Sequence, residues 1–306
     1  MTPHSSGRPT SGAGAAREYR VFIGDRRVSA VPPADRTLAY GDGLFETMRA
    51  HRGGLPWWDA HWARLERGAA RLRLTLPDQP RVREEAARLF DGRDGVLKLQ
   101  FGRGSGGRGY APPSASEPTW ILSRHPLPPP YLAGGLALRW CDTRLALQPA
   151  LAGLKHCNRL EQVLARAEWH DSATVDRDAD EGLMRSTDGD VVCATAANLF
   201  VLHGERWRTP PIDRCGVAGV CRQWLLDAFD IEQVRLSVAD VETADAVVLS
   251  NAVRGILPVA RLGARRWSPH PRVRDWQRCL ADAHPAFATP ARAMPDADPT
   301  YPPEMP

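Results

Sequence analysis

Lys155 lies in "LAGLKHCNRLEQVLARAEW", Leu151 to Trp169, and is one of only two lysines among 40 basic residues; the other is Lys98. Arginine supplies the rest of the positive charge. A lysine amine can lose its proton near neutral pH and can form and break an imine with an aldehyde; a guanidinium does neither. A chain that writes arginine at nearly every other basic site, and lysine here, points to amine chemistry. Lys98 is the comparison. In "VLKLQF" it alternates with Leu97 and Leu99, as an ordinary charge on the polar side of a strand does. On composition alone, a reacting amine and a solvated surface charge both stay open for Lys155.

Other stretches carry candidate chemistry beside a plainer reading. In "DRCGVAGVCRQWLL", Gly216 and Gly219 precede a helix whose free amides at Val220 and Cys221 suit an anion such as phosphate. An ordinary glycine turn into a helix has the same pattern, which is neither a Walker A nor a G-x-G-x-x-G motif. "GRGSGGRGY", Gly102 to Tyr110, sets Arg103 and Arg108 among five glycines. It reads equally as a loop offering guanidinium forks to carboxylates or as a flexible hairpin tip. "HWARL" places His61 and Arg64 three apart on a helix, and as a bare pair it reads as a salt-bridged surface arginine. In "ADRTLAYGDGLFETMRA", Gly41 and Gly43 form a glycine turn into a strand. No G-x-S-x-G elbow occurs, so a hydrolase has little support.

The elements that must position these residues fall into two halves. From Tyr19, "YRVFIGDRRV" predicts a hairpin turning at Gly24-Asp25. "GLFETMRAHRGGLPWW" predicts a strand, a Gly53-Gly54 turn and another strand. "DAHWARLERGAARLRL" predicts a helix with Trp62, Leu65, Ala69 and Leu72 inward, and "VREEAARLF" a second helix. "GVLKLQFGRG" and "PTWILSRH" predict strands around the glycine-rich loop. "HPLPPPYLAGG", 125–135, predicts an extended linker between a small domain at 19–124 and a larger one at 136–287. The second half predicts strands at "GLALRWC", "EGLMRS", "VVCAT", "ANLFVLHG", "RWRTP" and "AVVLS". It also predicts helices at "NRLEQVLARAEWHD", with Leu160, Val163, Leu164 and Ala167 on one face, at "GVCRQWLLDAF" and at "SPHPRVRDWQRCLADAH". The class is α/β in the mixed, α+β sense. Disordered tails are expected at 1–18 and 288–306; the first is alternatively a mis-assigned start.

Composition narrows the function classes. The chain has 306 residues, 43% hydrophobic and 25% charged, with a net charge of +4 and no run of like charges. That is an ordinary globular balance and argues against a nucleic-acid or membrane partner. Six cysteines show no CxxC or Cys/His spacing for zinc, so no metal is expected, and they read as reduced, largely buried thiols of a cytoplasmic protein. The N-terminus lacks the apolar core of a secretory signal.

In order, "RTLAYGDGLFET", "HWARL", "RGSGGRGY", "LKHCNRLEQVLARAEW", "AANLF", "GVAGVCR" and "NAVRGILPV" resemble the class IV pyridoxal-phosphate aminotransferases, over about Tyr19 to His284. Within that family the third and fourth motifs are most similar to the 4-amino-4-deoxychorismate lyases. The resemblance implies a two-domain, homodimeric enzyme with pyridoxal 5'-phosphate between the domains. It implies conversion of 4-amino-4-deoxychorismate to 4-aminobenzoate and pyruvate, a step toward folate. By motif position, Lys155 corresponds to the lysine that carries the cofactor and acts as general base, and Arg64 to the arginine on its phosphate. Val220 and Cys221 match the helix amides on that phosphate. Ala252 falls where relatives often have a phosphate-binding Thr or Ser, and Phe45 and Glu46 fall beside the cofactor. Arg108 and Tyr110 correspond to the substrate-carboxylate positions, and Arg103 in the same loop is a further candidate to orient the substrate.

One position departs from the family pattern. Relatives commonly place a glutamate five residues before the asparagine of "AANLF", opposite the pyridine nitrogen; Cys193 stands there instead. A neutral thiol holds a proton on that nitrogen poorly, which weakens the ring as an electron sink. A lyase whose product becomes aromatic tolerates that better than an aminotransferase. A branched-chain or D-amino-acid aminotransferase on the same fold is the second expectation. A non-catalytic cofactor-binding protein is the third.

Overall fold

The computed structural model describes residues 18–129, 134–171 and 178–288. The tails expected at 1–18 and 288–306 lie outside these, save Glu18 and Ala288, as does the centre of the linker expected at 125–135. The chain divides into two compact units. The first runs to Pro128 and also takes in Leu154–Arg159, a segment embedded in the sequence of the second.

The first unit holds β1 (Tyr19–Ile23), β2 (Arg26–Val28), α1 (Arg36–Tyr40), β3 (Gly43–Ala50), α2 (Trp58–Leu72), α3 (Gln79–Phe90), β4 (Gly95–Gly102) and β5 (Thr119–His125). The strands form one antiparallel sheet in the order β2-β1-β5-β4-β3. Period-two burial selects its faces: Leu44, Glu46, Met48 and Ala50 of β3 are buried in alternation. Trp58, Trp62, Leu65 and Ala69 bury the facing stripe of α2. Two details differ from expectation. "RTLAY" is a short helix, because the Asp35 carboxylate caps it by accepting the Thr37 N–H at 2.8 Å. No second strand follows the Gly53-Gly54 turn. His51 and Gly54 form only an isolated bridge, and Trp57, at φ 61°, turns the chain straight into α2.

The second unit holds β6 (Leu136–Trp140), α4 (Leu160–Asp171), β7 (Glu181–Arg185), β8 (Val191–Ala194), β9 (Asn198–His203), β10 (Arg206–Thr209), α5 (Val220–Ala228), β11 (Ile231–Gln233), α6 (Val238–Glu242), β12 (Ala246–Asn251), β13 (Gly255–Leu262), β14 (Arg265–Arg266) and α7 (Pro271–Ala283). Its mixed sheet runs β11-β10-β9-β12-β13-β6-β7-β8, with β14 on β13. Because β8 also pairs with β9, the path closes on itself. Leu138, Leu183, Leu199, Val201, Leu249 and Leu257 belong to its core. The strand β13 was not expected: Pro258 lies in its middle, and the pairing register shifts between Val259 and Arg261.

In the helix α4 the apolar residues expected on one face do share a face, and that face is exposed. Ala165 is its buried residue, while Leu160, at 75% exposure, and Val163 and Leu164, at 59% each, face outward. The expectation of largely buried cysteines holds in part. Cys141, Cys193 and Cys221 are buried, Cys157 and Cys215 are partly covered and Cys279 is exposed; none of the six is in a disulfide. Among the described residues no helix is long and apolar enough to cross a membrane.

Candidate active site

The segment carrying Lys155 is held by backbone to the edge of the first unit's sheet. The strand β3 ends the strand order, so one side of it is open to further pairing. The Phe45 N–H donates to the Lys155 carbonyl and the Cys157 N–H to the Gly43 carbonyl, both at 2.9 Å. Asn158 donates from Nδ2 to the Gly41 carbonyl at 3.2 Å. Gly41, at φ 65°, has no room for a side chain, since a Cβ there would lie 2.6 Å from the Asn158 amide oxygen. Arg159 closes the turn, donating to the carbonyls of His156 at 2.8 Å and Leu154 at 3.1 Å. Lys155 is therefore set by at least five hydrogen bonds of its own segment, not by a helix.

Its amine lies 4.3 Å from the centre of the Phe45 ring, with Lys98 Nζ at 5.6 Å and the Arg159 guanidinium at 6.0 Å from the same ring. Desolvation, followed by the positive charge of Arg64, pulls the Lys155 amine down to about 7; Glu46 opposes this, and Arg159 and Lys98 add to it. A substantial fraction is thus a free amine at neutral pH. Lys98, whose strand pattern reads as an ordinary charge on the polar side, shares the Phe45 ring with Lys155.

Arg64 is buried at 6% exposure, so the surface reading of "HWARL" is corrected. Its Nε donates to Glu46 Oε1 at 2.8 Å and a terminal nitrogen bonds Glu46 Oε2, which also takes His61 Nδ1 at 2.6 Å. Burial alone would raise the Glu46 carboxyl, but Arg64 and His61 outweigh it and hold it at about 2. Glu46 is therefore turned to α2, while Phe45, its neighbour on the pleat, stands with the amine. His61, wholly buried, is pushed below the ordinary imidazole range by desolvation despite Glu46. His61 and Glu46 join the site through helix spacing and strand alternation taken together, a signal that neither motif carries alone.

The glycine-rich loop is a braced structure. Arg36, buried, donates to Asp42 and to the carbonyls of Gly109 and Tyr110, each at 2.9 Å. Arg103 donates to both Asp42 oxygens, at 2.7 and 3.1 Å, and to the carbonyls of Leu72 and Arg73 at the end of α2. Burial raises the Asp42 carboxyl, but these two arginines outweigh that and leave it below the usual range. Arg103 thereby braces the loop against the end of α2. Arg108 and Tyr110 are exposed at the tip; Tyr110 packs edge-on to Tyr40 at 5.5 Å.

In the second unit, α5 begins at Val220 with Gly219 as its N-cap and no side-chain cap, leaving its first amides available. A Cβ on Gly219 would lie 2.0 Å from Asn198 Oδ1, so this approach requires glycine. Asn198 Nδ2 donates to the Val217 carbonyl at 2.9 Å and fixes the turn below it. The Cys221 thiol, buried beside Ser250, is pushed up to about 12 by desolvation, and the Ser250 hydroxyl opposes that only in part. Ala252 lies in the turn after β12, where Asn251 Oδ1 accepts from the Val253 and Arg254 amides at 3.0 and 2.8 Å. Cys193 faces Asn198 across the β8–β9 pair and packs with Cys141, Leu145, Ala165, Met184 and Val192.

The Amino-transferase class IV family pattern matches residues 43–262. An aminodeoxychorismate lyase of Vibrio harveyi is 38% identical over 76% of this chain and 88% of its own length. The crystal structure of 4-amino-4-deoxychorismate lyase from Pseudomonas aeruginosa superposes with a TM-score of 0.78 at 42% identity, covering 86% of this chain and 98% of that one. The branched-chain amino acid aminotransferase of Escherichia coli shares the fold, with a TM-score of 0.76 at 18% identity over 90% of this chain and 97% of that one.

Proposed function

The chain belongs to the class IV aminotransferase family, and from that premise we propose that it binds pyridoxal 5'-phosphate through Lys155 and converts 4-amino-4-deoxychorismate to 4-aminobenzoate and pyruvate. The observation that carries the reading is the Lys155 amine: backbone-tethered, laid against Phe45 and able to be neutral near pH 7. The two lyases at 38% and 42% identity support the substrate.

The residues present fit the cofactor's chemistry. A buried guanidinium at Arg64 and the uncapped amides of Val220 and Cys221 suit a phosphate. Ala252 could add only its backbone N–H. When bound, the cofactor supplies an electron sink for charge developing on the substrate carbon. The chain's own part is proton handling and orientation. The free Nζ of Lys155 takes the proton from the carbon bearing the substrate nitrogen and returns a proton to the departing pyruvyl fragment. Arg108 and Tyr110 are proposed to orient the two substrate carboxylates, with the Arg36–Asp42–Arg103 brace holding their loop. The product's aromaticity provides a driving force that transamination lacks.

Product identity tests this. Purified protein supplied with the cofactor and 4-amino-4-deoxychorismate should release 4-aminobenzoate and pyruvate in equal amounts with no keto-acid acceptor. Turnover of branched-chain or D-amino acids that requires 2-oxoglutarate, without 4-aminobenzoate, would replace the lyase by an aminotransferase. A bound cofactor without turnover of either kind would leave a cofactor-binding protein.

Cys193 offers a separate check. Glutamate at that place would bury a carboxylate among apolar neighbours and should cost about 2 kcal/mol or more. If the side chain stands opposite the ring nitrogen, saturating cofactor should restore part of the lost melting temperature of Cys193→Glu. An equal loss with and without cofactor places Cys193 away from the ring.

We also propose that the protein is a homodimer. Leu160, Val163 and Leu164 form an outward apolar face on α4 that a monomer leaves in water. Light scattering should give twice the chain mass, and Leu160→Glu with Leu164→Glu should give the single mass with an unchanged circular dichroism spectrum. A monomeric wild-type protein at micromolar concentration ends this reading.

A further inference from the structure

We propose that Glu46, held by His61, is a positioning residue that tunes the charge state of the Lys155 amine by opposing the charge of Arg64. The proposal rests on Lys155 as the reacting amine but not on which substrate it meets.

Three fully or nearly buried side chains form one network. Glu46 and His61 are at 0% exposure and Arg64 at 6%. Glu46 takes two nitrogens of Arg64 and one of His61. An ionised carboxylate only accepts, so His61 Nδ1 carries the proton of that bond and Nε2 is left as a bare lone pair. The Nε2 atom is buried and has no hydrogen-bond partner among the described residues. A second proton there would place a cation beside Arg64 and Lys155, both of which act against it. The network is therefore one anion, one cation and one neutral ring. Its formal charge is zero, and at Lys155 the Glu46 carboxylate offsets part of the larger effect of Arg64.

The other groups around the amine do not supply this balance. Lys98 from β4 and Arg159 from the amine's own segment are both positive and push the same way as Arg64. Phe45 offers a ring face and no charge. Among the described residues named as acting on Lys155, Glu46 is the one that favours the ammonium form. Without it, three cations would bear on the amine unopposed. A larger share of the amine would then be neutral at pH 7, and it would be a poorer source of the proton it must give back. A structural brace alone predicts the reverse: cutting a buried pair loosens packing, water enters, and a lysine amine moves back toward its ordinary range.

The opposite signs make the test. The chain has only two lysines, so labelling by acetic anhydride can be followed at Lys155 alone by peptide mass spectrometry, against an added reference peptide. In the full-length protein, freed of any bound aldehyde cofactor by hydroxylamine and dialysis, the labelling midpoint of Lys155 should lie near 7. Glu46→Gln should lower that midpoint by about one unit, the small end of what a neighbouring charge does. Arg64→Met should raise it by a similar amount. The double variant should return close to the wild-type midpoint. Where Glu46→Gln proves too unstable to label, Arg64→Met and the double variant carry the comparison. A midpoint raised or unmoved by Glu46→Gln, or one that Arg64→Met does not raise, overturns the proposal and leaves Glu46 a brace. A failed lyase assay would leave these midpoints untouched, so the two ideas fail separately.

Discussion

Lys155→Met should reduce product formation by about 10⁴-fold, the upper end of what a positioned proton-transfer group contributes, while leaving the melting temperature close to that of the wild type. The methionine replaces a desolvated amine that is already about half neutral near pH 7, so only part of a charge is lost from the fold. Lys155→Arg should be equally inactive and less stable than the methionine variant. Arginine cannot shed its proton, and it would stand in a desolvated place beside Arg64 and Arg159. The two variants separate amine chemistry from positive charge. If Lys155 served only as a cation, arginine would be the benign substitution and methionine the harmful one. Circular dichroism melts together with a 4-aminobenzoate assay decide between them.

Glu46 carries the second large effect. Its carboxyl is near 4.5 in the unfolded chain and about 2 in the folded one. A depressed folded value means the folded state binds the proton less readily than the unfolded state. The stability it contributes is therefore fully present above about 4.5 and is lost as pH falls from there through 2. Glu46→Ala leaves Arg64 buried without its carboxylate and should cost about 3–5 kcal/mol at pH 7, as cutting one side of a buried ion pair does. Urea midpoints for wild type and variant should converge as pH drops from 5 toward 2. A gap that is constant across that range would show that Glu46 contributes by packing and not by charge.

Much of the site was legible because its residues are chemically unusual for this chain. Lys155 stood out as an amine in an arginine-rich sequence. The helix at "GVCRQWLLDAF" was readable from Gly216, Gly219 and the apolar spacing after them, and α5 begins there. Strands with clean alternation, such as β4, and the stripe of α2 followed from burial period. What stayed hidden depends on contacts between distant positions. Nothing local says that 154–159 leaves its sequence neighbours to line the edge of β3, since that needs the Phe45 and Cys157 bonds. Arg64 looked like a surface charge because its buried partner, Glu46, is 18 residues away. Arg103 and Arg108 share one motif, yet Asp42 claims the first and leaves the second at the tip. The apolar face of α4 has the right period, but period alone does not say whether this chain or another covers it.

The most direct measurement is reduction of the cofactor-loaded protein with borohydride, followed by peptide mapping of its two lysines. The account predicts a cofactor adduct on the Lys155 peptide, none on the Lys98 peptide, and loss of the Lys155 adduct when 4-amino-4-deoxychorismate is added before reduction. An adduct on Lys98, or a Lys155 adduct indifferent to that substrate, would contradict it.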